Sequence, residues 1–258
     1  MINLKSPQEV EAIARGGAII AGLLHDVVAV VRAGTSTAEL DHFCDEYIRS
    51  HEGAVPAFKG LYGFPGSVCV SLNEEVVHGI PSPRRILAEG DIVSIDVGVR
   101  LDGWCSDSAW TYPVGQVDPE TEELLSVTEQ ALDQAIRAAV VGNHIGDIGA
   151  AVMEIVKGTR FGIIRDLVGH GVGRDVHEDP QVPNVGRNGY GPLLRSGMVL
   201  AIEPMLSAGS AMIRTLDDRW TVVTADGSRS AHFEHTVAVT PDGPRVLTVA
   251  ADPAEAAA

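Results

Sequence analysis

The chain has 258 residues, 45% of them hydrophobic, and a formal net charge of −16 from 35 acidic against 19 basic side chains. That length buries one full core with no linker, and the charge argues against a nucleic-acid-binding surface and for a soluble, self-repelling protein. Cys44, Cys69 and Cys105 are scattered with no CxxC, which fits reduced thiols in the cytoplasm better than a disulfide framework. No signal segment opens the chain and no run is read as reaching transmembrane length.

In chain order, Ser6-Pro7-Gln8-Glu9 is a capping box with Pro at the first helical position, predicting an amphipathic helix toward Val31. Gly16, Gly17 and Gly22 weaken it and imply close packing against it. Thr35-Ser36 caps a second helix to about Ser50. Ser67–Leu72 alternates as a strand, Ile92–Val99 reads as a buried strand, and Asp102-Gly103 turns it into a hairpin with Trp104–Val114. Pro119 opens a helix to about Val141, and another spans Asp147–Lys157. Ile163–Val168 is an apolar strand, followed by strands at Val199–Met205, Trp220–Ala225 and His232–Thr240. The order predicts an α+β fold with an antiparallel sheet covered by helices on one face. The Ala-rich end from about Ala250 is expected to fray.

Two segments repeat an unusual pattern. Leu87-Ala-Glu-Gly-Asp-Ile-Val-Ser-Ile-Asp96 and Leu194-Arg-Ser-Gly-Met-Val-Leu-Ala-Ile-Glu203 each end an apolar run on a carboxylate, 107 residues apart. Gly34 followed by Glu39-Leu40 and Gly142 followed by Asp147-Ile148 repeat at an offset of 108. Together they predict a single domain, 1–258, built of two pseudo-twofold halves at about 6–115 and 116–249. Buried carboxylates must be paired, hydrogen-bonded or bound to a cation, so the halves are expected to deliver acids to a shared centre.

The hairpin partner of Asp96 carries Asp107, and the strand following Glu203 carries Glu234. Four carboxylates converging in a sheet cannot all stay ionised without cations. His170 lies between Gly169 and Gly171, glycines read as leaving open space around a ligand that faces a cavity. One imidazole with four carboxylates suits two ions of Mn, Fe, Co or Zn in a hydrolase. Two such ions about 3.5–4 Å apart hold a bridging water, lower its pKa toward roughly 7 and polarise a carbonyl. Gly169-x-Gly171-x-Gly173 is not a phosphate loop, since no P-loop Lys follows and residues 174–180 open no helix. His25, His42, His51 and His144 read as surface or helix-face residues.

Asp96, Asp107, His170, Glu203 and Glu234, in that order, resemble the five metal ligands of the methionine aminopeptidases, whose pita-bread fold is shared with aminopeptidase P, prolidase and creatinase. Tyr62 through Cys69, His78-Gly79-Ile80-Pro81, His177-Glu178-Asp179-Pro180, Ile202-Glu203-Pro204-Met205, Trp220-Thr221 and Phe233-Glu234-His235-Thr236 are similar to that family's motifs, over nearly the whole chain. The resemblance implies that Asp107 and Glu234 bridge two divalent metal ions. Asp96 would complete one ion, while His170 and Glu203 would complete the other. It further implies that His78 and His177 hold the substrate amide, that Glu203 shuttles the proton, and that Phe58, Leu61, Phe64, Cys69 and Trp220 line a methionine pocket. The implied activity is removal of the initiator methionine from peptides and nascent chains when the second residue is small. Together with the composition, the expectation is a cytoplasmic monomer with no membrane or nucleic-acid partner.

The sequence departs from that pattern at Phe58, where a cysteine is frequent, at Leu61 and Phe64, where many members have tyrosines, and at Val176, where an aromatic is common. His232 stands where Gln is usual, on the face of the Glu234 ligand. An X-Pro peptidase is the competing enzyme, but those relatives carry a further N-terminal domain before a fold that here begins at residue 6. The 30 residues between Glu203 and Glu234 leave no room for the type II insertion, so type I is expected. A binding-only relative would have lost ligands that are all present here.

Overall fold

The structure, a computed structural model, describes residues 1–249; the Ala-rich end expected to fray, 250–258, lies outside the described residues. The helices are α1 (Pro7–Asp26), α2 (Thr37–Arg49), α3 (Pro119–Ala138) and α4 (Ile145–Val156). The first strands are β1 (Val55–Pro56), β2 (Cys69–Leu72), β3 (Glu75–Val77), β4 (Ile92–Leu101) and β5 (Trp104–Pro113). After α4 come β6 (Gly162–Ile163), β7 (Val168–Gly171), β8 (Glu178–Pro183), β9 (Val199–Ile202) and β10 (Met205–Ser207). The chain closes with β11 (Ile213–Thr215), β12 (Val222–Thr224), β13 (Ser230–His232), β14 (His235–Thr240) and β15 (Gly243–Val246). The ladders are antiparallel, as expected, but they form four small sheets rather than one.

The Ser6 hydroxyl accepts the Glu9 N–H at 3.3 Å and the Glu9 carboxylate accepts the Ser6 N–H at 2.8 Å, so the capping box starts α1 where the sequence placed it. The helix stops at Asp26, short of Val31, in a 3₁₀ turn over Val27–Ala29. By length and composition the run Pro7–Ala29 could cross a membrane, which corrects the expectation that no such run exists. Here Ile13, Ile20 and Leu23 are fully buried and α1 packs on β4 and β5, as a core helix does. The close packing expected at the glycines is present: a Cβ on Gly17 would lie 2.0 Å from the Leu247 carbonyl oxygen. We therefore expect Gly17→Ala to destabilise the fold by about 1–3 kcal/mol through overpacking. A urea midpoint equal to wild type would show that the 247 backbone yields freely.

The two sequence repeats meet each other in space, and they do so twice in the same way. Gly34 N–H donates to Leu87 O and Leu87 N–H to Thr35 O, both at 2.8 Å. Gly142 N–H donates to Leu194 O at 3.1 Å and Leu194 N–H to Asn143 O at 2.7 Å. Glu39 and Asp147 cap their helices alike, accepting the N–H groups of Ser36 (2.7 Å) and His144 (2.6 Å). Asp147 is thus the third residue of α4 rather than its start.

Asp102 (φ 51°) and Gly103 (φ 76°) form the expected hairpin turn between β4 and β5. That register sets Asp96 opposite Ala109 and Gly98 opposite Asp107. Residues two apart share a face, so Asp96 and Asp107 are diagonal neighbours on one side of the sheet.

Three predicted strands are broken in the structure, each at a crossing between sheets. Val199–Met205 splits into β9 and β10 around Glu203-Pro204, and His232–Thr240 splits into β13 and β14 around Phe233-Glu234. Ile163–Val168 splits into β6, which pairs with β10, and β7, which pairs with β9. Pro204 has no N–H for a ladder, and the Glu234 N–H is taken by Ala109 O of β5 at 2.9 Å. Glu203 and Glu234 therefore sit at breaks, immediately beyond the paired Ile202 and His235.

Candidate metal centre

The four acids reach the centre by two strand registers. Asp96 and Asp107 are set by the β4–β5 register. The β9–β14 register pairs Ile202 with His235, so the next positions outward bring Glu203 opposite Glu234. His170 pairs with Ala201 of β9, two residues before Glu203 and on the same face. The result is close: His170 Nε2 lies 3.7 Å from Asp107 Oδ2 and 3.6 Å from Glu203 Oε1. One donor atom each from Asp107, His170 and Glu234 lies within 4.8 Å of the others.

Burial dominates the electrostatics. It pushes Asp96 up to about 7, and it raises Asp107, Glu203 and Glu234 well above the carboxylate range, with the neighbouring carboxylates raising these three further. Burial and then His177 lower His170 to about 4, so its ring is neutral at pH 7 and has a lone pair to offer. Asp96 Oδ1, Asp107 Oδ1 and Glu234 Oε1 are buried with no hydrogen-bond donor among the described residues. Buried acceptors without donors are rare in folded proteins. Unpartnered hard oxygens beside a neutral imidazole fit divalent cations, and the donor set passes that test.

The centre forms the floor of a cavity of about 240 Å³ that contains every residue singled out for ligation, catalysis or substrate binding. Phe58, Leu61, Phe64, Cys69 and Trp220 form an apolar wall, with the Phe64 and Trp220 rings edge to face at 5.2 Å. His78 meets Trp220 edge-on at 6.3 Å, and His177 meets His170 at 4.4 Å. Burial lowers both outer histidines below the usual imidazole value.

The glycines around His170 do something other than expected. A Cβ on Gly169 would lie 2.3 Å from Ala201 O, and one on Gly171 would lie 2.2 Å from Asp179 O. They do not open space for the imidazole; they let neighbouring backbone press against β7 and fix the ring. Sequence reasoning also missed Tyr62, Val77, Leu167, Val168 and Met205, which line the same cavity. Tyr62 takes a left-handed φ of 51° and stacks on His177 at 5.9 Å. Its place inside the Leu61–Phe64 stretch was the one available signal.

The comparisons with known proteins agree with this geometry. A profile of metallopeptidase family M24 matches residues 11–241. A methionine aminopeptidase of Clostridium perfringens is 50% identical over 249 residues, covering 96% of this chain and 99% of the relative. The crystal structure of a methionine aminopeptidase from Thermotoga maritima superposes with a TM-score of 0.94 at 44% identity, over 96% of this chain and 100% of that one. A prolidase from Pyrococcus furiosus shares the fold, with a TM-score of 0.77 at 22% identity over 96% of this chain and 66% of its own. The architecture is the pita-bread fold, and the chain belongs to metallopeptidase family M24, within it to the methionine aminopeptidases of the bacterial type I kind.

Proposed function

We propose that this chain removes N-terminal methionine from peptides and nascent chains whose second residue is small. The carrying observation is the set of buried, donorless carboxylate oxygens around a neutral His170 on the floor of an apolar cavity. In this reading Asp107 and Glu234 would be shared between two divalent ions, Asp96 would help hold one, and His170 and Glu203 would help hold the other. Co, Mn, Fe and Zn all suit such donors. When bound, the ions supply Lewis-acid polarisation of the scissile carbonyl and acidify water.

The chain's own residues do the rest. Phe58, Leu61, Phe64, Cys69 and Trp220 receive an unbranched thioether and reject charge. His78 and His177, both lining the cavity, hold the scissile amide. Glu203 accepts a proton from the attacking water and passes it to the leaving amine nitrogen. We read the chain as one catalytic domain of two pseudo-symmetric halves, about 6–115 and 116–249, supported by the matched hydrogen bonds of the two repeats. The net charge of −16 supports a monomer, and three buried free thiols support a reducing, cytoplasmic location.

At about 240 Å³ the cavity is smaller than most ligand pockets, and Tyr62 stacked on His177 occupies part of its lining. Met-Ala peptides should therefore be cleaved on the order of a hundredfold faster than Met-Leu, at roughly 1–3 kcal/mol per misplaced methylene. Mass spectrometry of Met-Ala-, Met-Leu- and Ala-Pro-headed peptides incubated with the protein and Mn or Co checks this. Equal cleavage of the first two would refute the small-residue limit, and preference for Ala-Pro would move the activity to the X-Pro peptidases.

A further inference from the structure

His232 is 1% exposed, and both of its ring nitrogens are buried without a hydrogen-bond partner among the described residues. Its backbone cannot retreat. The Thr111 hydroxyl donates to His232 O at 2.7 Å and accepts the His232 N–H at 2.9 Å, and that hydroxyl is itself 2.8 Å from Ser94 Oγ. With the main chain fixed there, the ring lies against the acidic centre, with Nε2 3.6 Å from Glu203 Oε2 and 4.0 Å from Glu234 Oε2.

Glu203 consequently stands between two imidazoles and shows one oxygen to each: Oε1 to His170 and Oε2 to His232, both at 3.6 Å. A neutral imidazole carries one N–H, and a buried N–H without an acceptor is costly. The carboxylate oxygens facing Nε2 are strong acceptors, so the proton belongs on that nitrogen. The present separation exceeds hydrogen-bond length, but the terminal torsion of a glutamate is broad and a small rotation closes the gap.

We propose that His232 is a positioning residue for Glu203, its Nε2–H donating to Oε2 so that Oε1 is presented to the metal centre beside His170. The proposal rests on the reading of Glu203 as a metal ligand. A carboxylate held from behind loses its freedom to swing away from the ion, and such support is typically worth about 10–100-fold in metal affinity.

The test is calorimetric titration of the metal-free protein with Mn²⁺, for wild type, His232→Ala and His232→Gln. Glutamine keeps an N–H donor at similar reach, whereas alanine removes it. The expected result is affinity lowered about 10–100-fold in His232→Ala at unchanged stoichiometry, with His232→Gln restored to near wild type. Should the alanine variant not fold, His232→Leu fills the space without a donor and replaces it. Unchanged affinity in the donorless variant would overturn the proposal. So would the loss of one Mn²⁺ per chain in both variants, which would make His232 a ligand itself. A wild-type protein that binds no Mn²⁺ would instead overturn the underlying reading of the centre, so the two failures are told apart.

Discussion

Glu203→Ala should lower turnover of a Met-Ala peptide at least about a hundredfold, the usual contribution of a positioned acid–base group. The side chain lies at the break between β9 and β10, beside the His170 ring and on the cavity floor. Burial, and then the charges of Asp96 and Asp107, raise its pKa well above the carboxylate range. On the proposed assignment, alanine would remove a ligand and the proton carrier together. Turnover is measured at saturating Mn²⁺, so that weaker metal binding does not masquerade as lost chemistry. A soluble, folded variant retaining near-native turnover would exclude Glu203 from the role.

Asp107→Ala should abolish activity by a different route, through loss of metal rather than of peptide affinity, because in the proposed assignment this carboxylate would be shared by both ions. The metal-free variant should fold. Burial and the neighbouring Asp96 raise the Asp107 pKa well above its unfolded value. A carboxyl raised in this way costs the metal-free fold stability as pH climbs past the unfolded value, and the cost is fully present above the folded one. Deleting it therefore leaves the chelated protein at least as thermostable as chelated wild type at pH 7, while metal no longer stabilises it by mass action. Thermal midpoints with and without EDTA, together with calorimetric metal titration, read both effects. Full wild-type stoichiometry in the variant would overturn the bridging assignment.

Much of this protein is written locally. The capping box at Ser6–Glu9, the Asp102-Gly103 turn and the acid three residues into α2 and α4 depend on contacts a few residues apart, so a sequence window contains their whole cause. The repeated apolar run ending on Asp96 or Glu203 is legible for a related reason: a charge that burial would penalise needs a partner wherever the chain goes. What the window could not contain is competition from distant backbone. The splitting of Val199–Met205 and His232–Thr240 into strands of different sheets depends on Ala109 O capturing the Glu234 N–H across the molecule, as well as on Pro204. The glycines around His170 admit the carbonyls of Ala201 and Asp179, which no neighbour in sequence announces. Tyr62 enters the cavity through a left-handed backbone turn, and His232 lies against Glu203 with its main chain fixed by Thr111, 121 residues away. The sequence determined the donor types and the local elements that carry them; the tertiary structure decided which oxygens lack a donor and which imidazole faces which carboxylate, because both are settled by long-range exclusion of water and backbone partners.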